Sequence, residues 1–427
     1  MKLVYNIVIH LYHFSIRLAS FFLPKAKLWV NGRNQQLIHI RKEDLDSEII
    51  WFHCASLGEF EQARPMIERL KLTNPPQSNF NKIKIALTFF SPSGYEVRKY
   101  YPHADYVFYL PIDTKTKAKQ FIRELKPSIV FFVKYEFWFN YLHELSVLNI
   151  PTYLISGIFR DNHYFFKWYG SWFRNQLNCF THFYLQDNRS QILLNQIGYK
   201  NTSVCGDTRF DRVADIAKNA KRFPLIEKFK GKSNLLIAGS TWPKDDEIVS
   251  SKKFSNFKWV IVPHEIDEKH ILKVMETYSY KKSVEYNLAD HGHSVPAEIL
   301  RYSEANEENI LTADVLIIDN IGMLSSLYNY GSLAFIGGGF GKGIHNILEA
   351  ATFGMPVIFG PEFHKFNEAK ELIELGGAFS VSNANEYKNT LKLLDNEEVL
   401  KTASHISKFY VQSRVGASSK IISSINW

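Results

Sequence analysis

Short apolar runs alternate with helical stretches from about residue 48 onward, and this alternation constrains the fold more than any other feature of the chain. The runs are almost continuously apolar, which is typical of parallel strands that helices cover on both faces. A charged stretch near 218–232, poor in apolar residues, interrupts the series. The predicted strands lie at 49–52, 83–88, 128–133, 152–156 and 182–185 before this stretch, and at 234–239, 258–262, 314–318, 333–336 and 356–359 after it.

This pattern predicts an α/β protein of two doubly wound domains, joined near 215–232 and facing each other across a cleft. The length agrees with the division, because 427 residues are more than a single hydrophobic core usually supports.

Residues 3–24 form the only long apolar segment, and its strongest polar side chains fall on one face of a predicted helix. At spacings of four, three and four, these are Asn6, His10, His13 and Arg17. The charge and the histidines argue against a secretory signal, and a spanning helix would bury the polar face in lipid at considerable cost. An interfacial anchor fits best, with Lys25, Lys27 and Arg33 on anionic headgroups. An ordinary packed helix is the alternative.

The net charge of +8 favours anionic partners, which could be nucleic acid, phospholipid headgroups or a phosphorylated substrate. We rank nucleic acid last, because no arginine-rich tail or zinc-finger spacing supports it. Cys54, Cys179 and Cys205 are far apart, so neither a disulfide framework nor a cysteine zinc site is expected. Such cysteine usage fits a reducing compartment, and we expect the protein at the cytoplasmic face of a membrane.

One predicted strand runs directly into a turn of small residues that is followed by a carboxylate. Residues 49–52 lead to Ala55, Ser56 and Gly58, and Glu59 stands at the opening of a helix. Ligands of open α/β sheets bind beyond the carboxyl ends of strands, so Glu59 lies where a catalytic base would be placed. The alternative is a first-turn acid that the helix dipole favours.

A glycine-rich segment, Gly337–Gly343, follows a predicted strand and precedes a predicted helix. It matches neither the P-loop, because Lys342 is followed by glycine, nor G-x-G-x-x-G. Its glycines and the helix amino terminus still supply the parts of a phosphate site. Glu349, one turn into that helix, would reach a ribose diol. A glycine turn without a ligand is the alternative.

Polar residues also follow other predicted strands and mark the junction of the two domains. They lie in four short motifs: Gly239–Trp242, Pro263-His264, Glu136 within Lys134–Trp138, and Arg209 within Gly206–Asp211. His264 clusters with two other strand-end motifs of its domain, which makes it a candidate phosphate or nucleotide contact. Glu136 is a second strand-end carboxylate, and Arg209 could face a negative charge. Either could equally be a surface ion pair of little energetic weight.

Taken together, these residues resemble the 3-deoxy-D-manno-octulosonic acid (Kdo) transferases of lipopolysaccharide assembly, which have the two-domain GT-B glycosyltransferase fold. The resemblance covers nearly the whole chain and keeps six elements in order. They are the amino-terminal anchor, Ser56–Glu59, Ser91–Gly94, Glu136–Trp138, Gly206–Asp211, and the glycine turn into His345–Glu349 with Gly360-Pro361 after it.

The resemblance implies an inverting transfer of Kdo from CMP-Kdo to the lipid A precursor lipid IVA, at the cytoplasmic face of the inner membrane. It implies that Glu59 is the general base and that Glu136 and Arg209 stabilise the transition state. The positions matching CMP-binding segments are Pro263, His264, Gly322, Met323, Leu324, Asn346, Ile347, Leu348 and Glu349. Four residues depart from the commoner pattern: His264 and Arg209, where Arg and Lys are usual, and Met323 and Lys134, where acids are usual.

The resemblance further implies a membrane-anchor helix over 1–30, an acceptor-binding domain over 31–215 and a CMP-Kdo-binding domain over 216–427, whose C-terminal helix could cross back to the first domain. No residue cluster reads as a dedicated metal site, so we predict no metal and no cofactor beside the donor substrate. Two alternatives stay open: another GT-B enzyme that uses a UDP-sugar, and a non-catalytic lipid-A-binding protein at the membrane surface.

Overall fold

The computed structural model describes residues 1–36, 47–73, 83–251, 257–285, 298–425 and 427. The chain forms two compact units. The first comprises Met1–Arg212 and Arg414–Trp427, and the second comprises Val213–Ser413. Each unit is built on a seven-stranded sheet whose strands are all parallel. The predicted α/β class is confirmed.

Strands and helices alternate along the first unit. Its elements are α1 (Lys2–Ala19), α2 (Pro24–Gln35), β1 (Glu48–Cys54), α3 (Leu57–Thr73), β2 (Ile83–Phe89), α4 (Pro92–Arg98), β3 (Tyr106–Tyr109), α5 (Lys115–Leu125), β4 (Pro127–Val133), α6 (Phe139–Val147), β5 (Thr152–Gly157), α7 (Ser171–Leu177), β6 (His182–Leu185), α8 (Asn188–Gln196), β7 (Thr202–Val204) and the start of α9 (Arg209–Lys218).

The second unit repeats this alternation. Its elements are α10 (Pro224–Lys230), β8 (Asn234–Thr241), α11 (Pro243–Val249), β9 (Phe257–Pro263), α12 (Glu268–Glu285), β10 (Ile299–Arg301), α13 (Asn309–Thr312), β11 (Val315–Ile317), α14 (Leu324–Leu327), β12 (Leu333–Ile336), α15 (Leu348–Ala351), β13 (Val357–Phe359), α16 (Asn367–Leu375), β14 (Ala378–Ser380), α17 (Ala384–Leu394) and α18 (Glu397–Gln412); α19 (Ala417–Ser423) belongs to the first unit.

In each sheet, successive strands are added first toward one edge and then toward the other, and this change occurs at a defined pair of strands. The first sheet has the order β3-β2-β1-β4-β5-β6-β7, and the second has β10-β11-β9-β8-β12-β13-β14. The order therefore reverses between β1 and β4 in the first unit, and between β8 and β12 in the second. In open α/β sheets a crevice forms beyond the carboxyl ends of two such strands.

All ten strands predicted from the apolar runs are present in the structure. Four further strands, β3, β7, β10 and β14, are only three or four residues long. The two faces of β1 pack into different hydrophobic clusters, with Trp51 in one and Phe52 in the other. Burial on both faces is what the continuous apolar runs indicated.

The carboxyl-terminal helix α19 completes the core of the first unit. Ile421 and Ile425 join the hydrophobic cluster that contains Phe52. The buried carboxylate of Asp211 accepts hydrogen bonds from the amides of Gly416 (2.5 Å) and Ser418 (2.6 Å), which fixes the start of the helix.

Helix α1 docks on the first unit through one side and exposes apolar residues on the other. Tyr5 donates a hydrogen bond from its hydroxyl to Asp113 Oδ2 (2.5 Å), and Asn6 Oδ1 accepts from Asn140 Nδ2 (3.1 Å). Ile9 is buried. The outward residues are exposed and largely apolar: Leu3, Val4, Ile7, Val8, Leu11, Phe14 and Leu18. Within the described part of the chain, no single helix is long and apolar enough to cross a membrane, and α1 with Pro24–Asn34 reaches that length only as a pair bent by 117°.

Asp113 is the anchor for this docking. Its buried carboxylate also accepts the amides of Asn140 and Tyr141 (3.1 Å each) in the first turn of α6, and burial raises its pKa to about 6. The Tyr5 hydroxyl is thus bound to a fixed acceptor, and losing it would leave that acceptor less satisfied.

We expect the substitution Tyr5→Phe to loosen α1. A hydrogen bond to a charged group contributes about 1.5–3 kcal/mol, so amide exchange over residues 2–19 should accelerate by roughly 10- to 100-fold, which hydrogen–deuterium exchange would measure. Tyr12→Phe is the matched control, since the Tyr12 ring stacks on Phe90 while its hydroxyl bonds no described residue. Equal protection in both variants would show that the Tyr5–Asp113 bond does not hold the helix.

Candidate active site

Glu59 lies in the first turn of α3, directly beyond the carboxyl end of β1. Its side chain folds back onto the preceding turn, where Oε2 accepts hydrogen bonds from the amides of Ala55 (2.5 Å) and Ser56 (3.2 Å). The side chain is half-buried. Glu59 therefore satisfies the helix start and also keeps a second carboxylate oxygen for other partners.

Glu136 follows β4, the strand across the reversal point from β1, and is held by two side chains. Its Oε2 accepts from Nε1 of Trp138 (2.5 Å) and lies 3.2 Å from Nε2 of His53. Lys134, at the end of this strand, has the left-handed value φ = 66°. This turn redirects the chain at the strand end, and 12% of the Glu136 side chain is exposed.

A chain of buried hydrogen bonds leads from the strands of the first sheet to Glu136. Trp51 donates from Nε1 to Thr88 Oγ1 (2.8 Å), and Thr88 Oγ1 lies 2.8 Å from Nδ1 of His53. Nε2 of His53 also lies 3.1 Å from Nε1 of Trp138. The imidazole and the indole therefore both contact the Glu136 carboxylate and each other, and the tautomer of His53 decides which ring nitrogen donates.

The two carboxylates shift the protonation of Glu59. Burial and, after it, the negative charge of Glu136 raise the pKa of Glu59 to about 7. The amide of Ala55 and the ammonium of Lys134 oppose both effects. A carboxylate with a pKa near 7 can accept a proton at neutral pH and hold it, which is the property of a general base.

The sequence singled out Glu59 and Glu136 but not His53 or Thr88. His53 and Trp51 are two residues apart on β1 and so share a face, and His53 pairs in register with Thr88 on β2. The one sequence feature that could have indicated His53 is that it is a polar residue within an otherwise apolar run, where the structure buries it fully.

Arg209, the first residue of α9, is bound to a buried acid. Its Nε lies 2.8 Å from Asp207 Oδ2, and its amide donates to Asp207 Oδ1 (2.9 Å). Burial would raise the pKa of Asp207, but Arg209 and the amide of Gln62 more than offset this and hold it below its ordinary value. The guanidinium is therefore fixed in place and is still 25% exposed.

In the second unit, the glycine turn is closed by its own backbone. The amide of Gly338 donates to Asp245 Oδ2 (2.8 Å), and the amides of Gly341 (3.0 Å) and Gly343 (3.3 Å) both donate to the carbonyl of Gly338. A Cβ at Gly337 would lie 2.2 Å from the carbonyl oxygen of Ser240. Close backbone packing thus accounts for glycine at position 337.

The helix after this turn starts later than the sequence suggested. α15 begins at Leu348 and has only four residues, because the chain must first leave the closed turn. Asn346 Oδ1 accepts the amide of Leu348 (3.2 Å), and Asn346 Nδ2 donates to Glu349 Oε1 (3.1 Å). The sequence placed Glu349 one turn into this helix, whereas Glu349 lies in its first turn.

Three strand-end motifs of the second unit meet in a stack of rings. His264 stacks against Trp242 (centroids 4.6 Å apart) and against His345 (4.7 Å), and Trp242 Nε1 donates to His345 Nε2 (3.3 Å). Burial and then His264 lower the pKa of His345. The motifs follow β8, β9 and β12, so the stack lies at the reversal point of the second sheet, where a ligand crevice is expected.

The remaining predicted nucleotide contacts differ in accessibility. Met323, Ile347 and Leu348 have buried side chains, and so does Pro263. A ligand could meet them through the backbone only. Gly322 has φ = 93° and open space around its Cα, and Leu324 begins α14. Within the described ranges, no three His, Cys, Asp or Glu side chains cluster as a metal site would require.

Comparison with known proteins bears on the whole chain. Residues 31–212 match a family model described as 3-deoxy-D-manno-octulosonic-acid transferase (kdotransferase). A 3-deoxy-D-manno-octulosonic acid transferase of Chlamydophila psittaci is 28% identical over 90% of this chain and 88% of its own length. A bifunctional glycosyltransferase/methyltransferase of Fusobacterium nucleatum is 27% identical over 92% of this chain, which spans 59% of that protein.

A solved structure shares the fold. UDP-GlcNAc 2-epimerase of Neisseria meningitidis, bound to UDP-GlcNAc, superposes with a TM-score of 0.58 at 15% identity, over 88% of this chain and 98% of its own. At that identity the likeness concerns architecture alone. The GT-B fold consists of two Rossmann-like units, each with a parallel sheet, and the structure has two such units. The predicted GT-B fold is confirmed.

We expect Glu136→Gln to lower the pKa of Glu59 from about 7 toward its ordinary value of 4.5, because the nearby negative charge disappears while burial remains. Carbon-13 NMR titration of glutamate-labelled protein would measure this, with Glu59→Gln to assign the signal. Glu61→Gln is the control, since Glu61 lies two residues away and pairs with Arg64 and Arg98 instead. An unchanged Glu59 titration in Glu136→Gln would contradict the coupling.

Proposed function

We propose that the chain belongs to the 3-deoxy-D-manno-octulosonic-acid transferase family, whose model matches residues 31–212, and that it transfers Kdo from CMP-Kdo to a lipid A precursor of the lipid IVA type, with inversion at the anomeric carbon. The observation that carries the proposal is the half-buried Glu59, whose pKa of about 7 suits a general base and which lies at the reversal point of the sheet inside the matched domain.

The proposed step balances as a direct displacement. The acceptor hydroxyl oxygen forms a bond to the anomeric carbon as the bond from that carbon to the CMP phosphate breaks. The hydroxyl proton passes to Glu59 as the new bond forms, and CMP departs with the electron pair. Glu136, fixed by His53 and Trp138, keeps its negative charge near Glu59 and so maintains the basicity of that carboxylate.

Charge on the departing phosphate must be countered. We assign this role to Arg209, which Asp207 already orients, so that little reorganisation is needed as the charge grows. The nucleotide would be held by the second unit around His264, Gly322 and Asn346, which lie exposed at the strand ends or in open space. No metal and no further cofactor takes part in this scheme.

The amino-terminal helix supports a location at the cytoplasmic face of the inner membrane. α1 exposes Val4, Leu11 and Phe14 while its other side is bound to Asp113 and Asn140. An amphipathic helix docked in this way can lie in the interface with its apolar side among the lipids. A peripheral or monotopic attachment would hold the unit that carries Glu59 at the surface where an acceptor that is itself a lipid resides.

We expect Glu59→Gln to fold normally and to lose on the order of 10²-fold or more in turnover, the scale of general-base catalysis. Mass spectrometry of products from purified enzyme, CMP-Kdo and a tetra-acylated lipid A precursor would show Kdo increments for the wild type. Wild-type turnover should also rise with pH through about 7, because only deprotonated Glu59 accepts a proton.

Glu61→Gln should keep most of the turnover and serves as the control for removing one acid from the same helix. A Glu59→Gln protein that turns over as fast as this control would remove Glu59 from the mechanism. If the wild type gives no increment where a known Kdo transferase does, the reaction would belong to another donor, such as a UDP-sugar, or the protein would only bind lipid A.

Nucleotide selectivity provides a test that needs no turnover. We expect calorimetry to show tighter binding of CMP than of UDP, and His264→Ala to weaken CMP binding on the order of 10-fold by removing a polar contact to the phosphate or the ring. His405→Ala removes an exposed histidine on α18 and should leave binding unchanged. Tighter binding of UDP would favour a UDP-sugar donor.

A further inference from the structure

A cavity of about 360 Å³ lies in the first unit, away from the Glu59 cluster. Its walls come from α1, α2, α5 and the segment that follows β3. Four basic side chains line it, namely His13, Arg17, Arg33 and Lys117, together with a single acid, Glu124. Nothing in the proposed transfer step uses these residues.

Few acidic side chains lie near the basic residues that line this cavity. The described residues place no carboxylate within ion-pair distance of Arg17, Arg33 or Lys117. Glu124 instead accepts a hydrogen bond from Gln120 Nε2 (2.9 Å) on the same helix. The lining residues therefore carry an excess of positive charge, which suits an anion.

Arg33 forms the rigid floor of the cavity. Its guanidinium donates to the carbonyls of Leu110 (2.9 Å) and Phe90 (2.8 Å), and it stacks 3.7 Å from the ring centre of Trp29. These neutral partners fix the group without neutralising it. Burial lowers the pKa of Arg33 to about 9, which still leaves it charged at pH 7.

His13 shows the effect of this charge. Burial lowers its pKa first, and the positive charges of Arg17, His10 and Arg33 lower it further. Its ring also packs against Trp29, with centroids 5.9 Å apart. The surrounding cations favour the neutral form of His13 because they repel one another and repel a protonated imidazole. A bound anion would reduce this repulsion.

The cavity borders the exposed apolar side of α1. Arg17 lines the cavity, while Phe14 (61% exposed) and Leu18 (50%) of the same helix lie at the surface. Phe21 and Phe22, which follow the helix, are more than 80% exposed. A phosphate beside such a surface, with apolar chains next to it, is the chemistry of a lipid headgroup.

We propose that this cavity binds the phosphate group of an anionic membrane lipid. The inference deepens the membrane-surface part of the proposed function and does not depend on glycosyl transfer. It assigns His13, Arg17, Arg33 and Lys117 to one headgroup site, in place of a diffuse attraction between a basic protein and an anionic bilayer.

Two lipids could bring that phosphate. One is a phospholipid of the bilayer, and the other is the phosphorylated lipid acceptor. The cavity lies by β3, two strands from β1, which corresponds to a lateral distance of about 10 Å. Phe90, which binds Arg33, packs on Trp138 beside Glu136 with ring centroids 4.7 Å apart. Either source is therefore compatible with the geometry, and the experiment must separate them.

The test compares two double substitutions that change the net charge equally. Arg17→Gln with Lys117→Gln removes two cations from the cavity, and both side chains are exposed, so folding should be unaffected. Lys115→Gln with Lys119→Gln removes two exposed lysines from α5 that do not line the cavity. Sedimentation with phosphatidylcholine vesicles is measured for both, with phosphatidylglycerol added in one series and a bisphosphorylated lipid A precursor in the other.

We expect the cavity variant to bind at least one of the two anionic vesicle types about 10-fold or more weakly than the α5 variant does. A loss confined to phosphatidylglycerol vesicles identifies a bilayer phospholipid, and a loss confined to precursor vesicles identifies the acceptor. Equal binding of both variants to both vesicle types would overturn the proposal. Since no turnover is measured, a wild type without transferase activity would leave this result unaffected.

Discussion

Both sheets are covered on both faces, and this requirement determines where polar chemistry can occur. Trp51 and Phe52, adjacent on β1, enter two different hydrophobic clusters, so a charged side chain has no place along the strand. Charged groups are displaced to the strand ends, where Glu59 and Glu136 stand. The same burial that stabilises the sheet also raises the pKa of Glu59. Burial therefore both stabilises the first sheet and raises the pKa of the carboxylate at its strand end.

The central strands could be predicted from sequence because burial on two faces leaves a continuous apolar run. The short edge strands could not. All three residues of Thr202–Val204 are only half-buried, and a strand of this kind depends on a neighbour for its hydrogen bonds more than on its own composition. The two-unit α/β architecture followed from the central strands alone, and strand order required the structure.

The candidate site was predictable to the extent that it follows from strand ends. Glu59 and Glu136 are each placed by a local pattern, but the contact of His53 with Glu136 depends on the register of β1 against β2, which pairs His53 with Thr88. No local pattern records that register. The glycine turn shows the converse limit: its composition suggested free amides for a phosphate, whereas Asp245 and the carbonyl of Gly338 occupy several of them.

The return of residues 414–427 to the first unit makes the second unit an insertion within the first. During synthesis, the hydrophobic cluster around Phe52 lacks Ile421 and Ile425 until about 200 further residues have been made, a delay of roughly 10–40 s at typical elongation rates. The second unit can fold as a continuous segment in that interval. The first unit, although its synthesis begins first, would be the last to complete its core.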